Sequence, residues 1–383
     1  LVKNAKRVGI DFHVAHGIYQ GVRTYLTNLI EAMLKMSNEL DYFVYTRNAG
    51  QITDWPGNNH SSLKLKRLPS RYGPFNLSLG FPLVAIRDSL ALFHSQYILP
   101  VHLPCKSVLT IHDILFESHP EFFPAVHRTL IRFLVPFSGK HASRIISVSE
   151  FTKRQIMEYY RIPEEKIEVI YEGASPKFRP IKNGTSILPT LKAYGIEKKY
   201  ILFVGRIEPR KNIVSLLKAF DYIKKRGRKD LCLVIVGNQD KIFQENESFE
   251  KVEEMQLGSD VIFTGGVSED DLIALYNGAE VLTYPAFAEG FGLPVLEAMA
   301  CGTPVVTSHT SALPEVAGEA ALLINPYSFH EIGEAVEGLL DNQHLRKKLS
   351  AKGIERARRF SWERTAEKTV EVYRNVMQGR ADS

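Results

Sequence analysis

The sequence has only three cysteines, Cys105, Cys232 and Cys301, far apart and without a CxxC pair. That spacing excludes a disulfide scaffold and a thiolate zinc site, and it points to a reducing compartment, the cytoplasm. Long apolar runs are equally scarce. The best of them, FPLVAIRDSLALF, is broken by Arg87 and Asp88, so no membrane span is expected. The opening residues, LVKNAKRVGIDF, show no secretory h-region and run straight into a strand-like pattern. Dense Lys/Arg blocks and nucleic-acid motifs are missing, so no nucleic-acid partner is expected. Neither GxGxxG nor GxxxxGK[ST] occurs, which argues against dehydrogenase and P-loop chemistry.

What remains is an ordinary globular composition in 383 residues, 44% hydrophobic and 24% charged, long enough for about two domains. The net charge of +5 is unevenly placed. Residues 1–178 carry 21 Lys/Arg against 15 Asp/Glu and nine of the 12 histidines; the remainder carries 27 against 28. A basic half suits an anionic substrate or peripheral contact with an anionic membrane; a scattered solvated surface is the plainer alternative.

Short apolar, β-rich runs alternate with helix-patterned segments along nearly the whole chain. The first half offers RVGIDF, DYFVYT, LALFHS, SVLTIHD, RIISVS and KIEVIY; the second offers YILFVGR, LCLVIVGN, VIFTGG, EVLTYPA, PVVTS and ALLINP. Continuous rather than alternating apolar runs are what strands buried on both faces look like. Val22, Tyr25, Leu26, Leu29, Ile30 and Met33 mark one helical stripe. The pattern predicts an α/β protein of two Rossmann-like, doubly wound parallel-sheet domains. Periodicity fails in EGASPKFRPIKNGTSILPT, which divides the chain into domains at 1–178 and 179–360. The tail from residue 361 to 383 reads as one further helix, with Ser361 as N-cap.

Ligands of such sheets sit beyond the carboxyl ends of strands. After YILFVGR the chain gathers Arg206, Arg210 and Lys211 before a helix that Asn212 is expected to cap. A guanidinium fork with a mobile ammonium suits phosphate oxygens; a solvated basic loop is the alternative. After EVLTYPA comes AEGFGLPVLEAMACG. Pro294 suits a first helical turn, Gly302 ends the helix, and the open N–H groups near Gly292 and Leu293 form an anion site. Two carboxylates, Glu289 and Glu297, flank that turn. Carboxylates repel phosphate but accept hydrogen bonds from vicinal diols, so the set suggests a sugar–diphosphate–nucleoside. Separately, Glu297 reads as a first-turn acid serving the helix dipole and Glu289 as a loop acid. SVLTIHD delivers His112 to a strand end, as a proton carrier or a structural histidine. HGIYQGVRTY reads as a loop preceding the first amphipathic helix, in which Gly21 would let backbone approach a ligand phosphate. No Asp-x-Asp metal motif is present.

The segments EGFGLPVLEAMACGTPVV, FVGRIEPRKN, TIHD, ISVSEFTKR and FSWERTAEKTVEVYR together resemble retaining glycosyltransferases of GT-B fold, glycosyltransferase family 4, also called glycosyltransferases group 1. The resemblance implies that the C-terminal helix crosses back to the first domain. It implies that Glu289 holds donor-sugar hydroxyls and Glu297 the ribose, while Arg206 and Lys211 stabilise the diphosphate. The amides of Phe291, Gly292 and Leu293 would complete the donor pocket, and backbone at Val267 would read the base. His112 would contact the transferred sugar, its carbonyl close to the anomeric carbon. Gly21 would admit the diphosphate, although here Gly17 and Gly21 are wider apart than the family's usual glycine pair, and Arg23 reads as either a further phosphate contact or a surface arginine.

The expected reaction is transfer of a hexose, of mannose or glucose type, from GDP-mannose or a UDP-hexose to a saccharide or lipid-linked saccharide, with retention and without a metal or other cofactor. Oligomeric state has no sequence signal. A sugar-nucleotide epimerase, a phosphorylase of related fold and a non-catalytic nucleotide-sugar binder are the rival readings. The stretch EFFPAVHRTLIRFLVPF reads as either a membrane-docking segment at the inner face or a buried helix.

Overall fold

The structure, a computed structural model, describes residues 6–13, 20–36, 39–47, 60–70, 72–181, 184–239 and 247–379. The chain forms two compact units. The first comprises Leu1–Ser118, Ala125–Glu172 and Trp362–Ser383, and the second His119–Pro124 and Gly173–Ser361. The break thus falls at 172/173, ahead of the 178/179 that composition suggested, and the short run His119–Pro124 packs with the second unit.

In the first unit seven strands run parallel: β1 (Lys6–Asp11), β2 (Leu40–Thr46), β3 (Leu63–Arg67), β4 (Leu92–Gln96), β5 (Lys106–Ile111), β6 (Arg144–Ser147) and β7 (Ile167–Val169). Their order is β3-β2-β1-β4-β5-β6-β7. The central strands are buried on both faces, as continuous apolar sequence requires. β3 escapes the apolar-run signal because LKLKR is an edge strand. Its cations keep that edge from pairing with another chain.

Helix Gln20–Lys35 buries the whole predicted stripe from Val22 to Met33. The final helix, Trp362–Gln378, packs beside it, with Trp362 against Tyr25, and buries Trp362, Ala366, Val370 and Tyr373. Thr365 Oγ1 donates to the Tyr171 carbonyl at 2.7 Å, tying this helix to the last residues of the first sheet's chain.

The second unit repeats the design with β8 (Lys199–Val204), β9 (Leu231–Val236), β10 (Val261–Gly265), β11 (Val281–Tyr284), β12 (Val305–Ser308) and β13 (Leu322–Ile324). Their order is β10-β9-β8-β11-β12-β13, all parallel. In both sheets the winding direction reverses beside the first strand of the unit, between β1 and β4 and between β8 and β11. Those switch points leave a crevice outside the strand ends.

Candidate functional site

The switch point of the second unit collects the predicted donor residues. β8 ends at Val204 and passes through Gly205 and Arg206 into a 3₁₀ turn, Pro209–Lys211, before helix Ile213–Lys225. Gly205 and Gly237 make this exit possible. A Cβ on Gly237, whose φ is +140°, would lie 1.9 Å from the Gly205 carbonyl oxygen, so only glycine allows the two loops to touch. Asn212 stands at the helix start, yet its side chain does not cap the helix. It donates instead to the carbonyls of Pro285 (3.0 Å) and Pro326 (2.6 Å), stitching the exits of β11 and β13 together.

β11 ends at Tyr284 and leads to Glu289, which is buried. Its Oε1 is met by Arg210 at 2.8 Å, by the Tyr284 hydroxyl at 2.9 Å, and by the Lys211 ammonium. Its backbone is fixed as well: the Glu289 N–H donates to Ser311 Oγ and the carbonyl accepts from Ala312. Burial raises the Glu289 carboxyl, but Arg210 and Lys211 overcome this and hold it down at about 2. Lys211 lies below the ordinary lysine range because burial and Arg210 outweigh the pull of Glu289.

A residue the sequence reading passed over completes the cluster. Glu208, buried, accepts a hydrogen bond from Arg206 at 3.1 Å and forms an ion pair with Arg210 at 2.7 Å. Three cations therefore share two carboxylates, and the cluster keeps an excess of one positive charge. The signal for Glu208 was present in RIEPRKN, an acid two residues from each of two arginines. Sequence puts Arg210 in the basic loop; its ion pair with Glu289 comes from the three-dimensional contact between the β8 and β11 exits.

The glycine-rich turn is built as predicted. Gly292 adopts φ +117° at the start of helix Leu293–Cys301, Pro294 occupies the first turn, and Gly302 (φ +79°) ends it. A Cβ at Gly292 would also press on Leu313 at 2.8 Å. Phe291 buries its ring against Phe360, so only its backbone is available to a ligand. Glu297 lies beyond the first turn, which contains no acid, and the helix-dipole reading is thereby corrected. It is half-buried and accepts from the Tyr276 hydroxyl at 2.9 Å, an anchor separate from the one holding Glu289. Val267 follows β10 and is half-buried; beside it the Gly266 N–H donates to Asn238 Oδ1 at 2.9 Å.

In the first unit His112 follows β5 and is buried. Its Nδ1 lies 3.2 Å from Glu172 Oε1, its Nε2 lies 2.9 Å from Gln96 Oε1, and Tyr25 meets the ring edge-on. The His112 carbonyl accepts from Thr152 Oγ1 at 3.2 Å. Behind Gln96, fully buried His94 is bonded to Tyr373 of the last helix (2.6 Å) and to Thr110 (2.7 Å). Burial, with His112 nearby, pushes His94 down to about 3, so it stays neutral. None of these partners had a sequence signature.

At the end of β1, His13 Nδ1 contacts the buried Asp11 carboxylate at 2.5 Å. Burial lowers the His13 pKa, but Asp11 overcomes it and the net shift is upward. Gly21 is not in a loop: it lies in the first turn of helix Gln20–Lys35, exposed, with open space where a Cβ would stand. The register of the sequence pattern misplaced that helix start. Gly17 lies outside the described residues. Arg23 is exposed on the same helix. Among the described residues no group of three His, Cys, Asp or Glu side chains is placed to hold a metal ion.

Two parallel sheets of doubly wound order are the architecture of the GT-B fold. Comparison with known proteins agrees. Residues 192–356 match the family model for glycosyl transferases group 1, and residues 19–178 match that for glycosyltransferase family 4. O-antigen chain mannosyltransferase B of Escherichia coli is 31% identical over 74% of this chain and 74% of its own. The serotype-specific mannosyltransferase WbdA of the same organism is 28% identical over 74% of this chain, which spans only 35% of that relative. Among solved structures, Anabaena Alr3699/HepE in complex with UDP and glucose superposes with a TM-score of 0.77 at 16% identity, covering 97% of this chain and all of that one. The chain is a glycosyltransferase of this family, group 1 or family 4.

Proposed function

We propose that the protein transfers a mannosyl residue, with retention at the anomeric carbon, from GDP-mannose to a saccharide or lipid-linked saccharide acceptor during polysaccharide assembly. The observation that carries the reading is the buried, ionised Glu289 clasped by Arg210, Lys211 and Tyr284 beside an open helix N-terminus. A site for a simple phosphate has no use for that carboxylate. The mannosyltransferase names of the relatives support the choice of sugar.

In this reading Arg206, Lys211 and the amides of Phe291, Gly292 and Leu293 hold the diphosphate. Glu289 accepts hydrogen bonds from sugar hydroxyls, Glu297 binds the ribose, and backbone at Val267 faces the base. Gly21 leaves room for the diphosphate, and His112 contacts the transferred sugar. As the sugar–phosphate bond breaks, its electron pair leaves with the diphosphate, where preorganised cations stabilise it. The acceptor oxygen bonds to the anomeric carbon from the face the diphosphate leaves, and its proton passes to the departing phosphate oxygen. Positive charge developing on the ring is offset by Glu289. Arg206 and Lys211 take the role that a divalent metal has in other transferases.

Donor assays with GDP-mannose, UDP-glucose and ADP-glucose, read as release of the nucleotide diphosphate, test the donor. Consumption of UDP-glucose alone would replace mannose by glucose in this scheme. Proton NMR of the first product tests the stereochemistry: an inverted anomeric configuration rejects the mechanism. Consumption of the donor without an acceptor, yielding an isomerised sugar, would turn the reading towards an epimerase.

A further inference from the structure

Two buried side chains of the first unit, Glu172 and Gln96, have no role in the donor assignment, and both face His112. The ring Nδ1 lies 3.2 Å from Glu172 Oε1 and Nε2 lies 2.9 Å from Gln96 Oε1. Gln96 closes β4 and Glu172 follows β7, so the two reach His112 from opposite sides of β5 in the sheet order.

A carboxylate at this depth is costly unless it is paired. Glu172 is 5% exposed, and His112 is its one ion-pair partner among the described residues. Without a lysine or arginine the pair is a poor device for stability and a good one for orienting a ring. An ionised carboxylate only accepts, so it keeps a proton on Nδ1. Gln96 offers both a donor and an acceptor and can serve Nε2 in either state of the ring.

Gln96 is fixed in turn. Its Nε2 lies 3.4 Å from His94 Nε2, and His94 is bonded to Thr110 and to Tyr373 of the last helix. Tyr25 and Tyr97 place their ring centres 4.8 and 5.6 Å from that of His112. The backbone is held as well. The His112 carbonyl accepts from Thr152 Oγ1 at 3.2 Å, and Thr152 is itself fixed in the first turn of helix Glu150–Tyr160, where its N–H donates to Ser149 Oγ at 3.0 Å. A carbonyl has two lone pairs, so one remains for a ligand.

We propose that Glu172 and Gln96 are positioning residues for the transfer reaction: they clamp the His112 ring from both sides and thereby aim the free lone pair of its carbonyl at the reacting sugar. The inference rests on the transferase reading, in which His112 meets the transferred sugar. Positive charge develops on that sugar as its bond to phosphate breaks. A carbonyl dipole already aimed at it stabilises the transition state without reorganisation.

Kinetics, calorimetry and NMR on Glu172→Gln and Gln96→Ala test this. Turnover is read as release of the nucleotide diphosphate from whichever nucleotide sugar the parent consumes. In each variant kcat should fall about tenfold or more, while donor KM and GDP affinity stay at the parent's values. Glu172→Gln removes a buried charge and keeps an acceptor for Nδ1, so it should melt no lower than the parent. In heteronuclear NMR of the imidazole, assigned with His112→Gln, the Nδ1 proton should lie further downfield in the parent than in Glu172→Gln. Turnover unchanged in both variants overturns the proposal, and so does an Nδ1 proton unmoved in Glu172→Gln. Turnover lost together with melting temperature and GDP affinity overturns it too, because that pattern marks a structural role. A parent that consumes no nucleotide sugar rejects the transferase reading instead, and the NMR comparison then still decides whether Glu172 holds the ring.

Discussion

Replacing Glu289 by Gln keeps the size of a buried side chain and removes only its charge. The carboxyl is held at about 2 in the fold against 4.5 ordinarily, a depression corresponding to roughly 3 kcal/mol of stabilisation at neutral pH. Because the folded value is the lower one, this stability is present above about pH 4.5 and drains away as pH falls towards 2. At roughly 2–4 °C per kcal/mol for a unit of this length, Glu289→Gln should melt roughly 6–12 °C below the parent at pH 7. The gap should close on acidification.

The same change has an opposite expected effect on the nucleotide. The cluster's excess of positive charge rises from one to two, so GDP alone should bind as well as before or more tightly. Sugar transfer should fall on the order of 10²-fold, since Glu289 is assigned to the sugar and not the phosphate. Thermal melts across pH, titration calorimetry with GDP and donor turnover measure the three quantities. A melting gap independent of pH, or GDP binding weakened in step with turnover, would refute the reasoning.

Further outcomes follow from the same geometry. Lys211→Ala strands the buried Glu289 with Arg210 and Tyr284 only; GDP affinity should drop about 30-fold or more and the melting temperature should fall, both by calorimetry. His94, held near 3 against 6.5, refuses a proton that the unfolded chain accepts. Stability should therefore decline by about 1.4 kcal/mol per pH unit below pH 6.5, and His94→Gln should flatten that slope in urea titrations. Gly237→Ala forces a backbone clash and should cost several kcal/mol or abolish folding, whereas Gly21→Ala meets open space and should leave melting unchanged. Weakened donor binding in Gly21→Ala would then report the approach of a ligand, and unchanged binding would remove Gly21 from the site.

The alternation of apolar runs made the two parallel sheets legible, because strands buried on both faces leave no polar positions to obscure them. β3 was lost for the converse reason: LKLKR spends its side chains on guarding an edge. At the site, the turn around Gly292 could be read because φ above zero and a helix start each demand particular residues at fixed spacing. Gln96 and Glu172 could not. A buried hydrogen-bond partner is selected by where the fold brings it, and Gln96 reaches His112 only because β4 and β5 are neighbours. The start of helix Gln20–Lys35 was misjudged because a glycine in a first turn looks, in sequence, like the loop before it.

The last helix gives the protein an order of assembly. Tyr373 bonds to His94 across 279 residues of sequence, and Trp362 lies over Tyr25. During synthesis the first sheet is made early, yet the face formed by Tyr25 and its neighbours has no cover until the helix emerges after the entire second unit. The second unit, nearly continuous in sequence, is free to fold as soon as it is made. The half of the enzyme translated first therefore takes its last packing element from the end of the chain, and a chain cut before residue 362 would lack the partner of His94 and the ring against Tyr25.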